Sequence, residues 1–267
     1  MTASTIRQPQ DSLEVFRRCP VLREMFATGR TITGDGATVP FTTGIFPEHE
    51  EALFQIIRQA KPRLAVEIGM AQGGASLAIA AALELNGGEG RLISIDPYEG
   101  SHFQYAGRHA LVRAGLAHRH ELLEAPDWLA LPQLARDGLS VDFAYIDGSH
   151  AFDYALLDTF YLDKLVPVGA TLAFNDCGLE AIALVIKYLL SHRRYTEIDV
   201  GLAFAPGRPY GVMGALRQAH RHPLNAAAAL GRVFDPRRFA EFRRPHQDRY
   251  FTKKDSWEPM TDIPMPF

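Results

Sequence analysis

RLAVEIGMAQGGAS, residues 63–76, is the stretch on which the fold turns. Leu64, Ala65, Val66 and Ile68 make a short apolar run that stops at a glycine, as a buried central strand of a parallel sheet does. Gly69, Gly73 and Gly74 then form a turn free of side-chain bulk, and a small-residue helix, ASLAIAAAL, follows. Strand, glycine turn and helix N-terminus together predict a ligand cradle, because backbone can approach the ligand closely and N–H groups point outward. Glu67 is the last polar side chain before the turn, placed to accept hydrogen bonds from a ligand above the strand ends. A purely structural glycine turn in some other α/β protein is the alternative.

Outward from this stretch the pattern alternates. Pro47 opens a helix whose apolar stripe is Leu53, Ile56, Ile57 and Ala60, with Glu48, Glu50 and Glu51 complementing its positive end. Leu92–Ile95 is a second strand, ending at Asp96. An acid there, about 20 residues beyond a glycine loop, can take the two ribose hydroxyls of an adenosine. A weak strand, Glu121–Leu123, is followed by Asp127, read as a helix cap. Val141–Ile146 and Ala170–Phe174 are further strands, closed by Asp147-Gly-Ser-His150 and by Asn175-Asp176. Helices are expected at Phe152–Leu165 and Leu179–Ser191. Tyr195–Val200 and Gly211–Leu216, joined by a link too short for a crossover helix, are expected to pair antiparallel. The fold class is therefore α/β: a mostly parallel seven-stranded sheet with helices on both faces.

In a parallel sheet ligands bind outside the carboxyl ends of the strands, and Glu67, Asp96, Asp147, His150, Asn175 and Asp176 all fall at such ends. The spacing Glu67-x-Gly69-x-x-x-Gly73 lacks the middle glycine of a dinucleotide fingerprint and resembles motif I of the class I S-adenosylmethionine-dependent methyltransferases. That resemblance covers about residues 47–216. It implies a Rossmann-like fold with a C-terminal antiparallel β-hairpin. S-adenosylmethionine would be held by Glu67, Gly69, Gly73, Gly74, Asp96 and Asp147. Asp147-x-x-His150 and Asn175-Asp176 are similar to the metal sites of the magnesium-dependent small-molecule O-methyltransferases (methyltransferase family 24 and the antibiotic sugar O-methyltransferases). There an Asp follows the fourth strand and an Asp-Asn pair the fifth; here that pair reads Asn-Asp. The resemblance implies magnesium on Asp147, Asn175 and Asp176, with His150 as base and Asp147 beside it. The chemistry is consistent: a metal or an imidazole makes a hydroxyl nucleophilic near neutral pH. For His150 a structural hydrogen bond at a helix start stays open.

Composition narrows the functional classes. The chain has 267 residues and a formal net charge of −3, which gives no global reason to bind nucleic acid or an anionic membrane. Two cysteines, Cys19 and Cys177, predict no disulfide framework and a cytoplasmic setting. No apolar run is long enough to span a bilayer. Three segments are expected: a helical cap or lid over residues 1–46, the methyltransferase domain over 47–216, and a tail over 217–267. The tail's Arg243, Arg244, Lys253 and Lys254 beside Tyr250, Phe251 and Trp257 could meet nucleic acid; packing along the domain or a partner chain is the reading preferred. The other histidines, His49 among them, lack ligand spacing and are expected at the surface. The expected partner is a small hydroxylated molecule, and a homo-oligomer is a family-level implication. An NAD(P)-dependent oxidoreductase and a non-catalytic methyltransferase-like interaction protein are the competing classes.

Overall fold

The computed structural model describes residues 12–202 and 248–258. Two short helices, α1 (Glu14–Arg18) and α2 (Pro20–Thr28), precede an antiparallel ribbon of β1 (Arg30–Ile32) and β2 (Thr38–Pro40). The alternating core follows: α3 (Pro47–Ala60), β3 (Leu64–Ile68), α4 (Gly74–Asn86), β4 (Arg91–Ile95), α5 (Ala106–Arg113), β5 (His120–Leu123), α6 (Asp127–Arg136), β6 (Phe143–Ile146), α7 (Phe152–Leu165), β7 (Thr171–Phe174), α8 (Glu180–His192) and β8 (Tyr195–Ile198). The last described strand is β9 (Arg249–Lys253).

Seven strands form one sheet in the order β5-β4-β3-β6-β7-β9-β8. The strands from β5 to β7 run parallel, and β9 is antiparallel to both β7 and β8. Side chains alternate across it. Ala65, Phe143, Tyr145 and Tyr250 pack under α1 to α4. Val66, Ile68, Ala144, Phe174 and Phe251 pack under α6, α7 and α8. Both faces are covered, which is why the central strands read as unbroken apolar runs. The near-continuous burial of α4 follows from its alanines, which let it lie close to both the sheet and α3.

Register fixes the site. Asp142 Oδ2 accepts from the Arg63 and Leu64 N–H groups at 2.8 and 3.1 Å, pinning the start of β3 to that of β6. Ile68 then lies opposite Ile95 and Ile146, and Ile146 opposite Phe174. The next residue on each strand, Gly69, Asp96, Asp147 and Asn175, therefore falls on one edge of the sheet.

The expected C-terminal antiparallel pairing is present, with a later segment of the chain as the partner. The antiparallel partner of β8 is Arg249–Lys253; the Gly211–Leu216 segment lies outside the described residues. The polar look of the tail concealed a strand. Tyr250 and Phe251 are fully buried on opposite faces, so they have no surface on which to stack a base. Arg249 meets Glu197 on β8 with two bonds of 2.7 Å. The Lys253 ammonium donates to the Asp163 and Val166 carbonyls and lies 3.2 Å from the Asp163 carboxylate. Arg243 and Arg244 lie outside the described residues. Among the described residues no helix is long and apolar enough to cross a membrane.

Candidate active site

The glycine loop after β3 is tightly constrained. Gly69 has φ +85°, and a Cβ there would collide with the Asp147 carbonyl, so only glycine lets the ends of β3 and β6 close on one another. Gly73 has φ +80°, and a Cβ there would fall 2.7 Å from the Gly107 Cα at the start of α5. Of the five non-glycine residues with positive φ among those described, two belong to this site: Ala71 at 47° and Asp176 at 50°. Such conformations cost on the order of 1–3 kcal/mol and gather where a site over-determines the backbone. Both residues line the same cavity.

That cavity has a volume of about 480 Å³, within the usual range for small-molecule sites. Gly69, Met70 and Ala71 form its floor side, with Asp147, His150, Asn175 and Asp176 from the ends of β6 and β7. Thr42, Thr43, Gly44, Ile45 and Phe46 line it from the segment before α3, and His49 from the first turn of α3. Gln72 ties this segment to the glycine loop. Its Oε1 accepts from the Thr42 N–H at 2.8 Å, and its Nε2 donates to the Pro40 carbonyl at 2.9 Å. The connecting segment that leads into α3 is thus part of the cavity wall.

The polar residues expected at the strand ends divide into two groups. Asp147, Asn175 and Asp176 reach the cavity; Glu67 and Asp96 do not line it. Glu67 is fully buried beneath the turn, and its Oε2 accepts from Ser76 and Ser94, each at 2.5 Å. Burial lifts its carboxyl to about 7, against the two serine bonds. Asp96 spends its carboxylate on the loop. Oδ2 accepts from the Met70 and Ala71 N–H groups at 3.0 and 2.8 Å, and Oδ1 from Tyr98 at 2.8 Å. These bonds hold the cradle in shape.

The three residues expected to hold magnesium, Asp147, Asn175 and Asp176, all line the cavity. Among the described residues no three His, Cys, Asp or Glu side chains form a metal-binding group. The His150 Nε2 lies 3.9 Å from Asp147 Oδ1 and 3.3 Å from Asp176 Oδ2, so an imidazole stands between the two carboxylates. The Asn175 amide donates inward, to the Tyr145 hydroxyl at 3.1 Å. Burial, then the nearby acids Asp248, Glu67, Asp176 and Glu50, push the Asp147 carboxyl well above the usual range.

Sequence spacing missed three buried features. His49, expected at the surface, is only 12% exposed in its side chain and lies 3.4 Å through Nδ1 from Asp248 Oδ1. Asp248 also accepts from the Tyr145 and Tyr250 hydroxyls at 3.1 and 3.3 Å. Glu50, read as a helix-end charge, is fully buried with neither carboxylate oxygen hydrogen-bonded among the described residues. Burial, followed by Asp248 and Glu67, raises its carboxyl well above the ordinary value. No local motif signals any of these; the one cue is that Glu50 and Leu53 share a face of α3.

The sheet order, with one antiparallel strand set between the last two, is that of the class I methyltransferases. Residues 66–177 match the family model of a methyltransferase domain. A search among curated protein sequences finds no match. Among solved structures, the chain resembles cofactor-bound Rv0187 from MTB at 20% identity, over 72% of this chain and 90% of that one, with a TM-score of 0.55. It resembles the O-methyltransferase from Bacillus cereus in complex with SAH at 17% identity, over 73% and 85%, TM-score 0.54. It resembles the O-methyltransferase TomG from Streptomyces achromogenes, involved in tomaymycin synthesis and solved with SAM, at 19% identity, over 73% and 84%, TM-score 0.52. At such identities these likenesses carry the fold, and the family match carries the enzyme class. Within the class I methyltransferase fold, residues 66–177 are a methyltransferase domain. The match itself is narrower than the chain: its methyltransferase domain runs from within β3 to just past β7. The oxidoreductase alternative falls with that match.

Proposed function

We propose that this protein transfers the methyl group of S-adenosylmethionine to a hydroxyl oxygen of a small molecule. The observation that carries the reading is the cavity of about 480 Å³, which joins the glycine loop to the His49 imidazole on α3 and to His150, Asp147 and Asp176 at the strand ends. Methyl transfer from a sulfonium is an in-line displacement, so the protein's tasks are to align the acceptor oxygen and receive its proton. Gly69, Met70 and Ala71 present backbone to the cofactor side of the cavity. Thr42, Thr43, His150 and Asp176 offer hydrogen-bonding groups to the acceptor. Two imidazoles face the acceptor, His49 and His150, and the D-x-x-H spacing, with Asp147 beside it, marks His150 as one of the two groups able to take its proton. The closeness of His150 to Asp176 gives it a carboxylate to stabilise the imidazolium without a cation.

Magnesium assistance rests on donor chemistry alone. Asp147, Asn175 and Asp176 offer hard oxygen donors, but His150 would have to leave the space between the two carboxylates. No step here is routed through a metal. The free, buried Cys19 and Cys177 support a reducing cytoplasmic setting. A small-molecule partner, no role for nucleic acid, and a homo-oligomer complete the reading.

Calorimetry with S-adenosylhomocysteine, with and without magnesium, tests it, followed by turnover on a panel of hydroxylated aromatics and sugars. Binding that is unchanged by a chelator, together with methylation at oxygen, is the expected result. Loss of turnover on chelation would restore the magnesium reading; methylation at nitrogen only would end the hydroxyl reading.

A further inference from the structure

The cavity holds two imidazoles, and they differ in how they are built in. His150 has a side chain 37% exposed, and its nearest carboxylate, Asp176, is 24% exposed. His49 is 12% exposed, and its carboxylate, Asp248, is wholly buried. Oδ2 of Asp248 is satisfied by the hydroxyls of Tyr145 and Tyr250. Oδ1 has no hydrogen-bond donor among the described residues, and the His49 ring nitrogen 3.4 Å away is placed to supply one. A buried carboxylate oxygen demands a donor. A proton on Nδ1 answers that demand and leaves Nε2 as the lone-pair nitrogen of a residue that lines the cavity.

We propose that His49, oriented by Asp248, is the general base that takes the acceptor's proton, with His150 binding the acceptor. This rests on the O-methyltransferase reading. In the step, the acceptor oxygen forms its bond to the methyl carbon as the C–S bond breaks, and that electron pair returns to sulfur to give neutral S-adenosylhomocysteine. The hydroxyl proton passes to His49 Nε2, and the imidazolium is paired with the Asp248 carboxylate until the proton leaves to water. A buried pair holds that proton more strongly than a half-solvated one, because the attraction is screened less.

The other ionisable groups around the pair are Glu50 on α3, Tyr145 on β6, Cys177 after β7, Arg249 and Tyr250 on β9, and Asp147, His150 and Asp176 on the cavity wall. Glu50 and Asp147 are both driven toward the neutral acid by burial and by the charge on Asp248. Asp248 is the acid within 3.4 Å of the His49 ring.

Two measurements on the full-length protein decide the matter. Nitrogen-15 NMR of the imidazoles is expected to show His49 protonated on Nδ1, and Asp248→Asn to lower its titration midpoint by about one unit or more without moving that of His150. An Nε2-protonated His49, or one indifferent to Asp248→Asn, overturns the proposal. In turnover, His49→Gln is expected to lower kcat by about 100-fold or more with little change in KM. The deficit should shrink toward high pH, where the acceptor ionises unaided, and S-adenosylhomocysteine should bind as to the unmodified protein. His150→Gln should act mainly on KM; the reverse ranking of the two variants overturns the assignment. A protein that binds no S-adenosylhomocysteine would end the methyltransferase reading instead, and the NMR result would still decide the His49–Asp248 pair.

Discussion

One wall of the cavity is made by backbone and the other by packed side chains. The first comes from the ends of β3, β6 and β7, where Gly69, Ala71 and Asp176 hold unusual φ and register alone sets Asp147 beside Asn175. The second brings the segment before α3 and His49 together with Asp248, from opposite ends of the chain. The first wall answers to local sequence, since a turn is specified by the residues within it. The second answers to the sheet, since His49 meets Asp248 only once β9 has taken its place beside β7.

Four variants probe this contrast. The largest effect is expected at β9, on which the second wall depends: Phe251→Ala empties a fully buried ring site, at a cost of about 3–5 kcal/mol in urea unfolding. Retention of full stability would mean that β9 is dispensable and the contrast false. On the first wall, Gly69→Ala forces a Cβ against the Asp147 carbonyl at φ +85°, and about 2–4 kcal/mol is expected to be lost together with S-adenosylhomocysteine binding. Binding that survived would show that the turn can open without harm to the cradle.

Next comes Glu67, whose carboxyl stands at about 7, above its ordinary 4.5. A raised carboxyl contributes stability that is complete below the unfolded value and is lost as pH rises through about 7. Glu67→Gln removes that loss. It is expected to be more stable than the unmodified protein by about 1–3 kcal/mol near pH 8, and the difference should close toward about pH 4. Unfolding midpoints across that window check the sign. The smallest effect belongs to Arg249→Ala, which breaks a partly exposed pair with Glu197; about 1 kcal/mol or less is expected in the same assay.

The strands from β3 to β7 were legible because two-sided burial writes them as apolar runs, each closed by a glycine or an acid. Asp147, His150, Asn175 and Asp176 were legible for the same reason, as the polar residues that end those runs. The bonds of Asp96 to the glycine loop were not. An acid at that position reads alike whether its oxygens go to a ribose or to the Met70 and Ala71 N–H groups. β9 was hidden because its ends, Arg249 and Lys253, are charged, and their partners Glu197 and Asp163 lie far off in sequence. His49 was hidden because no spacing links it to Asp248.

The position of β9 between β7 and β8 also orders events as the chain is made. A nascent chain that has reached Ile198 carries β8 with no neighbour to bond, and β7 presents an open edge. Both wait on some fifty later residues, so the last gap in the sheet closes only once Arg249–Lys253 has been made. Until then the edges are open to other chains. The same closure delivers Asp248 to His49, so completing the sheet and completing that side of the cavity are a single event.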